Sequence, residues 1–227
     1  MLMNINFESV LLSYTAFLIS ITIHEFAHAW MADHLGDPTP RKYNRLEPNP
    51  ITIIQAHPFG ALVVPLIGAF QGLSIGWAAT PVNPHLVDKK YTIRQAERLI
   101  SIAGPVSNLI LAFIACLIFA FLSKQMLVDQ DGGNQVMVWM EPIYNLSQSL
   151  IIINLFLALF NLLPVPPLDG FSVFANLLPA RSGLVSFILQ YQQVFLIFIF
   201  VFAGKMLYPF VMQLASIFLQ IAYFLVG

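Results

Sequence analysis

Residues His24-Glu25-Phe26-Ala27-His28 bring two imidazoles and a carboxylate into one short stretch. On a helix, residues four apart share a face, so His24 and His28 stand one turn apart with both rings open to a single cation. The pattern suits zinc hydrolysis: the histidines hold the metal, and the intervening glutamate takes a proton from metal-bound water. The surroundings sharpen it. The motif lies in an apolar run from about Val10 to Trp30, long enough to cross a bilayer. Ionisable side chains at that depth are costly and persist mostly where they line a site or a polar path. One buried histidine is ordinarily just a satisfied polar group. Desolvating His24, Glu25 and His28 together demands an offsetting interaction, which a metal supplies.

A second constellation stands far downstream, Phe160-Asn161-Leu162-Leu163-Pro164-Val165-Pro166-Pro167-Leu168-Asp169-Gly170. Its three clustered prolines end a helix and hold the chain extended, presenting Asp169. A catalytic zinc takes three protein ligands and leaves one position for water, so Asp169 is the candidate third ligand. Its alternative role is to cap the helix that follows.

The elements that must position these groups are membrane spans. Of 227 residues, 58% are hydrophobic and 9% charged, against about 25% charged in soluble domains. Ten basic and eleven acidic residues nearly cancel, so nothing points to nucleic acid. The lone Cys116 excludes an internal disulfide. No basic n-region precedes a short apolar stretch and cleavage site, so no removable signal peptide is expected. The fold class is an α-helical polytopic membrane protein with about five spans: Val10–Trp30, Leu99–Leu122, Ile143–Leu163, Leu184–Ala203 and Met206–Val226. The last two form a C-terminal hairpin, about 184–226, that turns at Gly204-Lys205. Residues 8–180 form the catalytic core of a single domain.

The apolar segment Pro58–Ala79 differs from these, with Gly60, Gly68, Gly72, Gly76 and Pro65 among β-branched residues. Such a composition argues against a plain helix. Basic residues flank it on both sides: Arg41, Lys42 and Arg45 before, Lys89, Lys90, Arg94 and Arg98 after. If positive loops are cytoplasmic, the segment enters and leaves on one side, as a re-entrant and partly β-stranded element. The same rule puts the acidic loop Lys124–Pro142 outside, brings Arg181 back inside and leaves Lys205 in the outer hairpin. His24, His28 and Asp169 then lie toward the cytoplasmic face.

Together, His24-Glu25-x-x-His28 and Asn161-Leu-Leu-Pro-Val-Pro-Pro-Leu-Asp169-Gly170 resemble the site-2 protease family of intramembrane zinc metalloproteases, peptidase family M50. Gly104-Pro105-x-x-Asn108 is similar to a third motif of that family, and the resemblance spans residues 10 to 180. It implies a compact member without a PDZ or CBS domain, in a bacterial inner membrane. The expected activity is cleavage in or near transmembrane segments of single-pass membrane proteins, with one Zn²⁺ per chain. The matching positions imply His24, His28 and Asp169 as zinc ligands, Glu25 as the catalytic glutamate, and Asn161 as support for substrate or oxyanion; the alternative role of Asn161 is a helix-end cap or a bond between helices. Control of access would fall to substrate trimming, a regulatory partner or the chain's own segments. Two positions depart from many compact members: His57-Pro58 stands where an Asp-Pro is common, and Ala78-Ala79 where a lysine is. Both fall in the re-entrant region and bear on substrate positioning, not on zinc.

Within this reading, Gly104-Pro105 is a structural turn, with an Asn108 hydrogen bond across to the catalytic helix as the lesser alternative. His34, His57 and His85 fall in or near loops, and His57, bordering the re-entrant element, could meet a substrate or support a ligand. A membrane zinc peptidase of the prenyl-protein type would need a downstream glutamate as third ligand. Glu97 and Glu141 are the candidates, and neither lies in a matching motif. A zinc or proton transporter would show internal repeats or paired broken helices. No second copy of either motif occurs.

Overall fold

The computed structural model describes residues 7–70, 76–128, 134–179 and 182–227. Nine α-helices follow one another among them: α1 Phe7–His34, α2 Thr39–Lys42, α3 Pro50–Ala56, α4 Val64–Phe70, α5 Ile93–Val128, α6 Asn134–Asn161, α7 Asp169–Leu177, α8 Gly183–Gln190 and α9 Gln192–Val226. A π-helical turn, Phe59–Val63, leads into α4, and a 3₁₀ turn, Pro84–Leu86, precedes α5. No strand occurs among the described residues. The protein is a helical polytopic membrane protein. Among the described residues four helices are long and apolar enough to cross a bilayer, and the bent pair α3–α4 makes a fifth if counted as one span.

Helix α1 contains neither glycine nor proline, so nothing interrupts it until Gly36, at φ +101°. There the Gly36 and Asp37 amides donate to the carbonyls of Asp33 and Ala32 (3.0 Å each), closing the helix end with a left-handed glycine. Helix α5 is the hub, packing against α1, α6, α7 and α9. Its face toward α6 and α9 is built of small residues, Ala112, Ala115, Cys116 and Ala120, against Ile151, Leu155, Val211, Ala215 and Ala222. Small side chains let helices approach closely where lipid offers no hydrophobic drive between them.

The segment read as re-entrant is bent rather than straight: Pro50–Ala56 and Phe59–Ala69 meet at 120°. Its expected strand character is absent over residues 58–70, which are helical. Glycine and proline break this stretch at its bend instead of extending it, and the chain after it, from Gly76, crosses the break. The Trp77 amide donates to the Gly60 carbonyl at 3.0 Å. A Cβ on Gly60 would strike Trp77, and one on Gly76 would strike Gly60 and Pro65, so both positions admit only glycine. Gly72 and the rest of residues 71–75 lie outside the described residues, as does Arg181.

The expected hairpin at Gly204-Lys205 is not there, because α9 runs through both residues. Lysine is a good helix former, and Gly204 shows no positive φ and has open space for 4 Å around the place a Cβ would take, so neither residue forces a turn. The chain breaks at Tyr191, amid Gln190, Gln192 and Gln193. Lys205 therefore does not stand in an outer turn. Leu196 lines the cavity described below, whereas the Gly227 carbonyl at the other end accepts from Lys124 Nζ at 2.6 Å. At 1.5 Å per residue Lys205 is about 14 Å from Leu196 along the helix and about 33 Å from Gly227.

Candidate metal centre

Three elements deliver the polar groups. Helix α1 carries His24, Glu25 and His28 on its buried side, at 3%, 4% and 8% exposure. Helix α6 ends at Asn161, and the proline-rich connection turns the chain back so that Asp169 opens α7. Gly170 makes that return possible: a Cβ there would collide with the backbone of Leu162 and Leu163. Asp169 is the first residue of α7, but Leu168 holds the cap position and no side chain caps the helix, so the Asp169 carboxylate faces the histidines rather than capping α7.

The three donor atoms form a small triangle. His24 Nε2 and His28 Nε2 are 3.0 Å apart, and Asp169 Oδ2 lies 3.2 and 3.3 Å from them. Bonds of about 2.1 Å in a tetrahedron would separate ligand atoms by about 3.4 Å, so one face of a zinc tetrahedron fits. The remote ring nitrogens are both engaged. His24 Nδ1 lies 2.6 Å from Asn108 Oδ1, and His28 Nδ1 lies 2.7 Å from the Ile100 carbonyl. Facing these oxygens each Nδ1 carries the proton and donates, which leaves each Nε2 with its lone pair turned inward. Two lone pairs and a carboxylate oxygen then converge, and Asp169 Oδ2 has no hydrogen-bond partner. A cation satisfies such a donor set, and the residues fit zinc. Among the described residues no other group of three histidine, cysteine or carboxylate side chains is so placed.

Glu25 stands beside the triangle with its Oε2 buried and unpartnered. The Thr80 hydroxyl donates to the Glu25 backbone carbonyl at 3.1 Å, tying the extended segment after Gly76 to α1. A cavity of about 560 Å³ opens over the triangle, lined by Glu25, Trp77, Thr80, Phe156, Asn161 and Leu196, among others. Asn161 is half-buried there, and its Nδ2 donates to the Leu157 carbonyl at 3.0 Å.

Helix α5 makes the contact that the sequence offered only as the lesser alternative, the bond from Asn108 to the ligand helix. Gly104-Pro105 is no turn, since α5 continues through it. Proline here costs one internal hydrogen bond, while the flanking packing keeps the helix. Gly104 presses against the imidazoles: a Cβ would come within 2.5 Å of His28 Nε2 and 2.6 Å of His24 Cε1. One turn on, Asn108 reaches across to the ligand helix. Asn154 on α6 and Ser20 on α1, both fully buried, complete this polar cluster. Beyond Asn108, the signal for it in the sequence was an amide at position 154, in the apolar half of its span and seven residues before Asn161. His57 is half-buried and donates from Nε2 to the Ala79 carbonyl at 2.9 Å, bracing the bend outside the cavity. His34 stacks on Trp30.

The sequence pattern of peptidase family M50 matches residues 13–203. The chain belongs to that family. The candidate zinc metalloprotease YwhC of Bacillus subtilis is 40% identical over 168 residues, covering 71% of this chain and 67% of that protein. Rip2 of Mycobacterium tuberculosis, also a candidate zinc metalloprotease, is 29% identical over 187 residues, 81% of this chain and 64% of its own length. A third such protein, MJ0611 of Methanocaldococcus jannaschii, is 33% identical over 109 residues, or 44% and 49% of the two chains. The chain therefore spans about two thirds or less of the length of these curated relatives. No solved structure matches it. As an M50 member the protein is a membrane metalloendopeptidase, and its cofactor is zinc.

Proposed function

We propose that this M50 peptidase hydrolyses peptide bonds in or near transmembrane segments of single-pass membrane proteins, with His24, His28 and Asp169 holding one zinc. The observation that carries the reading is the triangle of inward-facing donor atoms beside an unpartnered glutamate oxygen, set in an apolar cavity between spanning helices. Zinc bound there would supply Lewis-acid polarisation of the scissile carbonyl and acidify water. Glu25 Oε2 takes the proton of the attacking water and later returns it to the departing amine. Asn161 keeps a second Nδ2 hydrogen free of Leu157, and it donates to the carbonyl oxygen as charge develops, an effect worth about 3 kcal/mol in comparable sites. Trp77, Phe156 and Leu196 receive apolar substrate side chains and keep bulk water out.

Side and access follow from charge and shape. Arg41, Lys42, Arg45, Lys89 and Lys90 flank the end of the molecule where α1 closes and α5 opens, and Lys124 stands at the other end of α5. Under the positive-inside rule this distribution supports a site toward the cytoplasmic side, in the bacterial inner membrane that the family resemblance implies. Substrate trimming or a regulatory partner controls which helices reach the cavity.

Reconstitution of the protein with a single-pass substrate tests this. Wild type should cleave, and Glu25→Gln should retain zinc at one per chain while losing at least about a thousandfold in rate. Zinc should leave His24→Ala and Asp169→Ala. Undiminished cleavage by Glu25→Gln would remove Glu25 as the base, and full zinc in both ligand variants would remove the ligand set.

A further inference from the structure

Behind the metal triangle, four buried side chains from three helices form one chain of hydrogen bonds. Asn154 Nδ2 donates to the Leu150 carbonyl and to Ser20 Oγ, both at 2.8 Å. Asn108 Nδ2 donates to Asn154 Oδ1 at 2.7 Å and to the Ser20 carbonyl at 3.3 Å. Asn108 Oδ1 meets His24 Nδ1 at 2.6 Å, and the Ser20 hydroxyl donates to the Ala16 carbonyl at 2.6 Å. Asn108, Asn154 and Ser20 are each 0% exposed.

The direction of this chain is forced from its far end. The Leu150 carbonyl can only accept, so the amide nitrogen of Asn154 faces it and the amide oxygen faces Asn108. That oxygen can only accept, so Asn108 presents its nitrogen to Asn154 and its oxygen to His24. An oxygen at His24 Nδ1 requires the proton on Nδ1, leaving the lone pair on Nε2. Unlike hydroxyls, primary amides cannot reverse by rotating a single hydrogen. Reversal would take a flip of both side chains and would face oxygen against oxygen.

We propose that Asn108 and, through it, Asn154 are positioning residues of the metal centre, a relay by which a carbonyl of α6 fixes the tautomer and ring orientation of His24. The inference rests on the zinc reading of His24, His28 and Asp169. His28 is held separately, by the Ile100 carbonyl of α5. Helix α6 therefore reaches the metal centre through Asn154 as well as through the connection to Asp169. Supporting partners of this kind change metal affinity by about 10–100-fold in other zinc sites.

The test measures zinc affinity of the full chain in detergent by competition with a chromophoric chelator, alongside melting of the metal-free protein and the visible spectrum with cobalt in place of zinc. Asn108→Leu should weaken zinc about 10–100-fold and alter the cobalt bands. Asn154→Leu, which touches no ligand, should weaken zinc at least threefold in the fraction that is folded. Ser20→Ala leaves the Leu150 bond to orient Asn154, and should stay within threefold of wild type. If both leucine variants lower the melting temperature yet bind zinc within twofold of wild type, the cluster is interhelical packing and the relay is overturned. Loss in Asn108→Leu alone would overturn the part assigned to Asn154. Should either leucine variant fail to fold, Asn154→Ser, which shortens the side chain out of reach of Asn108, carries the same expectation. A wild-type chain that binds no zinc would instead strike the underlying metal reading.

Discussion

Replacing Gly104 by alanine tests how closely α5 must approach the ligand helix. The added Cβ would lie 2.5 Å from His28 Nε2 and 2.6 Å from His24 Cε1 and His28 Cε1, where ordinary contact begins near 3.4 Å. About 0.9 Å must therefore be absorbed, by rotating both rings or by moving α5 from α1. Both rings are buried and pinned at Nδ1, so neither is a free end that can swing aside. Ligand distances in metal sites tolerate only about 0.2 Å, so the triangle should open beyond what zinc accepts. Overpacking costs about 1–3 kcal/mol, while alanine in place of glycine inside a helix returns about 1 kcal/mol. Metal-free stability should thus fall by no more than about 2 kcal/mol, whereas zinc affinity should fall by more than the roughly 100-fold ceiling for a supporting hydrogen bond. Zinc competition and thermal melting of the same samples separate the two effects. Gly183→Ala and Gly204→Ala, where a Cβ would meet nothing within 4 Å, should bind zinc as wild type does. A Gly104→Ala protein with wild-type zinc affinity would refute the close-approach reasoning.

Gly170→Ala should fail at the same centre by another route. Its Cβ would strike the backbone of Leu162 and Leu163, which cannot yield as a side chain can, so Asp169 is drawn off the histidines. Zinc content should drop and the melting temperature with it, and one zinc per chain would contradict the prediction. Asp37 lies away from the metal, fully buried, accepting the backbone amides of Thr39 and Asn83. Asp37→Ala orphans both, at about 1–3 kcal/mol per group. It should destabilise by about 2–6 kcal/mol while the folded protein keeps its zinc, and a loss under about 1 kcal/mol in an unfolding titration would count against that role.

Much of this protein is written locally. Helical crossings follow from runs of apolar residues, and the pairing of His24 with His28 follows from helix geometry, because both depend on neighbours a few positions apart. The proline-rich stretch before Asp169 likewise announces a stop and a return. Local signals misled where one composition serves two backbones. Glycine and proline between residues 58 and 70 read as strand but mark a bent helical pair, and Gly204-Lys205 reads as a turn although nothing there obliges α9 to break. Gly104-Pro105 reads as a turn for the same reason, and its use emerges only when α1 lies against it.

By itself, then, the sequence determined a helical membrane protein and a set of side chains suited to zinc. Tertiary structure decided how near those side chains come and what holds them. Residues 24, 108 and 154 have no periodic relation along the chain. Their contact depends on the spacing of three helix backbones, set by glycine and alanine where they touch, and on amides that find partners only once lipid-facing helices have excluded water.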